Sequence, residues 1–275
     1  MYWAWRKNRE LAVAAGGSPE EPCWLFCQEY PANAEEAFQT SGADTFIPAT
    51  AIVKARKALV EGYGPLVLGV DPARGGKDKT GFIDRQGRRA GENVCRRVNF
   101  GQDTMAIVGE AVRLRHELKR THPVLRIVLD ITGLGGPILD RLREQLPWEE
   151  VLGVNFSERA LNSDRYLNRR AEMYDRMREW FADTAGVQIP DNDELHGDLA
   201  GPIRGPDATR FDSAGRLVLE AKEHIKERLG FSPDLADALA LTFAIDQSAL
   251  AQQAFNDRHR ERHRHLETAR DPWSI

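Results

Sequence analysis

The chain has 275 residues, of which 41% are hydrophobic and 29% charged, and a formal net charge of −4. That length and balance describe a globular protein with a full core, as one large domain or two small ones. They exclude a surface coated in positive potential. No apolar run nears the roughly 18 residues of a membrane span, and no secretory leader opens the chain, so a cytoplasmic protein with no membrane partner is expected.

Residues 1–62 carry little hydrophobic periodicity of their own. Tyr2, Trp3 and Trp5 precede a helical stretch through Val13, which Gly16-Gly17-Ser18-Pro19 breaks. Trp24 to Pro31 is a short apolar segment, Ala34 to Phe38 about one helical turn, and residues 50–61 read as a helix ending before Gly62. Cys23, Cys27 and Cys95 are an odd set with no second pair to close a zinc site, and are read as reduced thiols.

From Pro65 the pattern becomes that of an α/β domain. Leu66 to Asp71, Thr80 to Asp84 and Val94 to Phe100 predict a meander of three strands, with Arg74 to Asp78 as a turn. Residues 103–121 predict a helix with Ile107, Val108, Ala111, Val112, Leu114 and Leu118 on its apolar side. Val124 to Asp130 predicts a second buried strand, followed by a helix from Leu134 to Leu146 and a strand from Val151 to Phe156. That alternation implies parallel pairing with right-handed crossovers. A long helix at 165–183, a short strand at 187–189, a hairpin at 211–219 turning at Gly215, and helices at 220–229 and 233–250 follow. The remainder, 251–275, is a polar tail.

Asp71 and Asp130 each follow directly on a run of buried-strand type, so the backbone anchors each acid while its carboxylate reaches the sheet rim. Parallel neighbours lie about 4.8 Å apart, so the two could share one cation if their strands are adjacent. A third acid would come from the helix that starts with Ser232 as N-cap and Pro233 at the first helical position. Asp234 and Asp237 share a face of that helix. Asp234 has a bland duty available as partner of the helix dipole. Asp237 is followed by Ala238 to Leu241, which must pack on the sheet, so Asp237 ranks first as third ligand and Asp234 second. Asp84 and Asp140 are read as surface acids. An oxygen-only cage of this kind favours Mg2+ or Mn2+ over zinc and suits metal-assisted hydrolysis of a phosphodiester.

The meander and alternating units, with acids ending the first and fourth strands, resemble the ribonuclease H-like fold: a mixed sheet, helices on both faces, and two cations at the rim. Leu68-Gly-Val-Asp-Pro-Ala-Arg-Gly-Gly-Lys-Asp-Lys-Thr80, Val128-Leu-Asp-Ile-Thr-Gly-Leu-Gly-Gly136 and Ser232-Pro-Asp-Leu-Ala-Asp-Ala-Leu239 resemble the three acidic motifs of the nuclease domain of tailed-bacteriophage terminase large subunits. Gln28-Glu-Tyr-Pro31, Glu35-Glu-Ala-Phe38 and Ser41-Gly42 resemble the stretch joining that family's ATPase to its nuclease. On this reading 1–62 is a remnant of the joining region, 63–250 the nuclease domain and 251–275 the tail. The resemblance implies a DNA-packaging endonuclease that cuts concatemeric phage DNA in the host-cell cytoplasm. It makes Asp71, Asp130 and Asp237 the catalytic metal ligands and Asp78 an acid beside the site, to which the helix-face reading adds Asp234 as a further metal ligand. The implied partners are double-stranded DNA, the portal protein and the terminase small subunit.

The chain departs from the full family in lacking a Gly-x-x-x-x-Gly-Lys-Ser/Thr phosphate loop. Gly75 to Thr80 mimics one in composition, but Asp78 follows its lysine and the segment sits in a hairpin turn. No ATP hydrolysis is expected, and the chain reads as an excised C-terminal domain or the product of a truncated prophage gene. Arg74, Lys77 and Lys79 beside Asp71, with Lys222 and Lys226 on the helix leading to Asp237, are expected to hold DNA phosphates, which makes binding salt-sensitive. Arg165, Arg169, Arg170 and Arg176 form another basic stretch, read equally as a solvated face. Arg258 to His265 in the tail offer a docking segment for an acidic ring on the portal. The alternatives are a ribonuclease H-like resolvase or integrase, and a non-enzymatic module that grips DNA or the portal.

Overall fold

Every residue of Leu66–Asp71 is buried, and a strand of that kind needs cover on both faces. The computed structural model, which describes residues 45–73, 78–101 and 103–246, supplies it. Strand β1 (Leu66–Asp71) lies in the middle of a five-stranded sheet of order β3-β2-β1-β4-β5, with β2 at Thr80–Gln86, β3 at Arg89–Val98, β4 at Leu125–Asp130 and β5 at Val151–Val154. The β2–β3 link is a tight turn through Gly87, whose φ is +60°, and these strands are antiparallel. Helix α2 (Thr104–Leu118) carries the chain from β3 to β4, and α3 (Gly135–Gln145) from β4 to β5. Such crossovers permit the parallel β1–β4 and β4–β5 pairs.

Alternation along the strands builds a core on each side. Leu66, Leu68, Val70, Ile127 and Leu129 face α2 and α3, meeting Ile107, Leu114, Ile138 and Leu142. Val67, Ile83, Val128 and Val154 face α1 (Ala49–Lys57), α4 (Arg169–Phe181), α5 (Asp193–Leu199) and α7 (Asp234–Leu241). Helix α7 is buried at every position. It comes that close because two strand residues have no side chain. A Cβ at Gly69 would lie 1.9 Å from the carbonyl oxygen of Ala238, and one at Gly81 would lie 2.4 Å from that of Asp234. The hairpin of β6 (Arg210–Phe211) and β7 (Leu217–Val218) leads into α6 (Lys222–Leu229), which stops at Gly230 with φ +79°.

Several boundaries and assignments differ from expectation. The helix expected over 50–61 ends at Lys57, because Ala58 is already extended. Its Ile52 and Ala55 enter the α7-side core, so the chain from Thr45 packs with the domain. Residues 187–189 form no strand; Gln188 makes a single bridge to Arg89. The last helix ends at Leu241 and continues only as a tight turn over Thr242–Ala244. Pro233, not Ser232, holds the N-cap position of α7. Asp84 is buried where the β2–β3 register shifts, and its carboxylate accepts the Asn93 and Val94 N–H groups and the Asn93 amide. Asp140 is exposed, as expected. Cys95 is half-buried, and burial pushes its thiol up to about 12, which makes it inert at neutral pH. The joining motif, Arg74, Lys77 and the tail lie outside the described residues.

Candidate active site

Register places the first two acids. Val70 pairs with Leu129 across the parallel β1–β4 ladder, so Asp71 and Asp130 end neighbouring strands side by side. Each lies two residues beyond a position on the α7 side, Gly69 and Val128, so both carboxylates point toward α7. That helix brings Asp234 and Asp237 to the same rim. The structure thus gathers all four acids, each at most 7% exposed.

Their partners differ. Asp237 Oδ1 accepts from the Tyr174 hydroxyl at 2.7 Å and from Arg170 Nε at 3.1 Å. Its Oδ2 lies 2.9 Å from Lys222 Nζ, which is also 2.8 Å from Asp71 Oδ2 and 3.5 Å from Asp234 Oδ1. Asp130 Oδ1 accepts from the Thr132 N–H at 2.9 Å and its hydroxyl at 2.7 Å. Asp234 Oδ2 accepts from the Lys79 N–H at 3.3 Å.

These surroundings separate the acids electrostatically. Burial, reinforced by the neighbouring carboxylates and only partly offset by Lys222, pushes Asp71 up to about 8. Burial acts the same way on Asp237, but Arg170 and Lys222 overcome it and hold that carboxyl down to about 2. Burial raises Asp130 and Asp234 as well. Burial opposes the charge on Lys222, yet Asp237, Asp71 and Asp234 prevail and raise it well above the ordinary lysine value. Were all four carboxylates ionised, one ammonium and one guanidinium would leave the cluster two positive charges short, and the raised Asp71, Asp130 and Asp234 are the response to that shortage.

An oxygen-only set that lacks two charges fits a hard divalent cation. Among the described residues, however, no three such groups stand as a ready metal cage. The Lys222 ammonium lies between Asp71, Asp234 and Asp237.

The other expected contacts sort by direction. Lys222 turns inward to the carboxylates, a different duty from the phosphate contact expected of it. Lys226 is paired with Asp78 at 2.7 Å, on the outer side of α6. Lys79 is exposed. The arginine stretch is not one solvated face: Arg170 serves Asp237, while Arg169 and Arg176 both bind Glu172, at 3.0 and 2.7 Å. Arg165 remains exposed, 3.7 Å from Asp175 and Glu179.

Sequence reasoning missed Tyr174 and the inward duty of Arg170. The available signal was their spacing of four on a helix whose same face carries Met177. It also missed Asp198 on α5, fully buried, whose Oδ2 accepts the Leu235 N–H at 2.8 Å and so caps the start of α7.

No family model and no curated protein matches the chain. Solved structures do. The nuclease domain of the large terminase subunit gp2 of bacterial virus Sf6 superposes with a TM-score of 0.58 at 17% identity, covering 73% of this chain and 98% of that one. The chain has the fold of a terminase nuclease domain. A lysine-to-alanine mutant of the Sf6 domain with manganese and beta-thujaplicinol gives 0.55 at 18% identity, over 68% of this chain and 90% of that one. The same mutant with calcium gives 0.53 at 18% identity, over 68% and 91%. The architecture is therefore ribonuclease H-like, a mixed sheet with helices on both faces, and its acidic cluster stands at the carboxyl ends of β1 and β4.

Proposed function

We propose that this chain is a divalent-metal-dependent endodeoxyribonuclease of phage DNA packaging that cuts concatemeric DNA in the host cytoplasm. The observation that carries the reading is the convergence of Asp71, Asp130, Asp234 and Asp237 on one rim, in a cluster short of positive charge, within a terminase-nuclease fold. Asp71, Asp130 and Asp237 would hold the metal, with Asp234 beside them. Two Mg2+ or Mn2+ ions would supply activated water and stabilise the leaving oxygen. No helix among the described residues is long and apolar enough to cross a membrane.

The chain's own residues prepare that chemistry. Arg170 and Tyr174 anchor Asp237 through one oxygen and leave the other toward the rim. Thr132 fixes the Asp130 carboxylate. Lys222 is the internal counter-charge that keeps the acids together, and a metal ion must compete with it. Lys79, Lys226, Arg74 and Lys77 are the proposed phosphate contacts, and the portal and the small subunit the proposed protein partners.

Plasmid nicking tests the reading. Supercoiled DNA should be nicked in Mn2+, left intact in EDTA, and left intact by Asp71→Asn in either. The inward Lys222 favours one rival, a module that grips DNA without cutting. Plasmid that is bound in Mn2+ and never nicked by the wild type would establish that rival instead.

A further inference from the structure

A cleft of about 390 Å3 lies between α4, the segment before α1 and the β6–β7 hairpin. It plays no part in the carboxylate cluster. Its lining joins aromatic rings to arginines. Phe46 and Tyr166 are buried, whereas Phe211 on β6 is 68% exposed. Arg165, Arg178, Arg204 and Arg210 line the same space against one carboxylate, Asp175. That carboxylate is already engaged, accepting from the Tyr166 hydroxyl at 2.9 Å and from Arg178 Nε at 2.7 Å.

The arginines lie by aromatic rings. The guanidinium carbons of Arg178 and Arg204 are 5.8 and 5.7 Å from the Phe46 ring centre, and that of Arg165 is 5.3 Å from the Tyr166 ring. Arg178 spends its Nε and Nη2 on Asp175, whereas Arg165 is 60% exposed and stays 3.7 Å from Asp175 and Glu179, so its guanidinium presents a fork that matches phosphate. An exposed phenylalanine beside such a set offers a flat surface for a base. The space is that of a small-molecule pocket, which admits a base with its phosphate but not a duplex.

Position links the cleft to the rim. Arg178 follows Arg170 by eight residues on α4, about 12 Å along the axis at 1.5 Å per residue, and Arg170 touches Asp237. From the hairpin the chain runs to Glu220, whose carbonyl accepts from Arg170 Nη1, and then to Lys222. The axial separation of Arg170 and Arg178 is the length of a few nucleotides of a DNA strand.

We infer that this cleft holds one nucleotide of an unpaired DNA strand, its base stacked on Phe211 and its phosphate on the surrounding arginines. The inference rests on the nuclease reading for the route of the strand, and it gives the enzyme a grip on DNA that opens near the cut.

Fluorescence anisotropy in EDTA, where neither metal nor cleavage enters, tests it. A labelled oligothymidylate of about a dozen nucleotides should bind more tightly than a duplex of equal length. Phe211→Ala should weaken oligothymidylate binding at least about fivefold and leave duplex binding unchanged. Arg165→Ala should reduce the salt slope of oligothymidylate binding by about 0.7. Both side chains are exposed, so the variants keep the fold. Equal oligothymidylate binding by wild type and both variants, or no preference over duplex, overturns the inference. Displacement by thymidine monophosphate as effective as by the oligonucleotide also overturns it, since the site would then take free nucleotides. Nicking in Mn2+ is measured separately: nicking without single-strand preference removes the cleft assignment alone, and preference without nicking removes the nuclease reading alone.

Discussion

The two sides of the sheet bury the same kinds of aliphatic side chain, and they differ at the carboxyl rim, where, among the described residues, only the α7 side gathers carboxylates that share one cation. Toward α2 the buried acids have donors of their own. Asp84 is met by Asn93 and Val94, and Glu150 by Arg115 at 3.0 Å and Lys119 at 2.7 Å. Toward α7, Asp71, Asp234 and Asp237 share Lys222, Arg170 serves Asp237 alone among the four acids, and Asp130 has Thr132 but, among the described residues, no paired cation. Burial alone therefore does not mark a functional acid. The balance between buried carboxylates and their cations does, because an acid with its own donors is already satisfied, while an under-neutralised group gains from a further cation.

The largest expected effect tests that contrast directly. Asp71→Asn and Asp130→Asn should each bring Mn2+-dependent nicking below detection while the melting temperature holds or rises, since a charge that burial disfavours has been removed. Wild-type nicking by either variant would break the comparison. Next, Asp237→Asn should abolish nicking, whereas Asp234→Asn should retain a measurable fraction, because Asp234 is more weakly engaged at the start of α7. Equal and complete loss in both would make Asp234 an equal ligand.

A smaller effect belongs to the residues behind the acids. Tyr174→Phe removes one of the two donors to Asp237 Oδ1, and the Mn2+ concentration giving half-maximal nicking should rise by about tenfold. An unchanged metal requirement would assign Tyr174 to packing alone. On the other side of the comparison, Asp84→Asn leaves the Asn93 amide without its acceptor and should cost about 1–3 kcal/mol of stability with nicking intact. Urea unfolding gives the first quantity and plasmid nicking the second; loss of cleavage would erase the distinction between the two sides.

The smallest effect is a pH slope. Burial pushes the Asp198 carboxyl up to about 7, against an ordinary value of 3.8, with Arg97 only partly offsetting it. Between those values the folded protein holds a proton that the unfolded chain releases. This contribution to stability is full below about pH 4 and is lost as pH rises through about 7. Asp198→Asn has no charge to bury and can still accept the Leu235 N–H, so its melting temperature should fall less than the wild type's between about pH 6 and pH 8. Parallel slopes would show that Arg97, 3.5 Å away, offsets the burial of Asp198 in full.

Much of this arrangement was legible in the chain. Asp71 and Asp130 end apolar runs that fix both the strand and the rim position, and the resemblance to the ribonuclease H-like fold implied that their strands are neighbours. Asp237 was readable from the alanines and leucines that follow it. What escaped is what periodicity does not encode. The spacing of Lys222 and Lys226 says that they share a helix face, not that one side chain turns inward while the other pairs outside. Arg170 and Tyr174 sit in Arg169-Arg-Ala-Glu-Met-Tyr174, which is too polar to advertise a buried face. Asp84 was misread because the register shift between Ile83 and Arg85 breaks the alternation used to sort inward from outward residues. Asp198 lies on a helix of seven residues, too short for its sequence pattern to stand out.

Helix α7 rests on bare main chain at Gly69 and Gly81. The gap between its acids and Asp71 is thus set by the thickness of two backbones, which no rotamer can alter. The aliphatic residues around the site can be exchanged for others of similar volume, and the core will repack without moving the carboxylates far. One added carbon at residue 69 is a different matter: it acts as a shim, and the whole helix must rise with both of its acids. A chain evolving under this geometry has wide latitude in its oil and almost none in two hydrogen atoms.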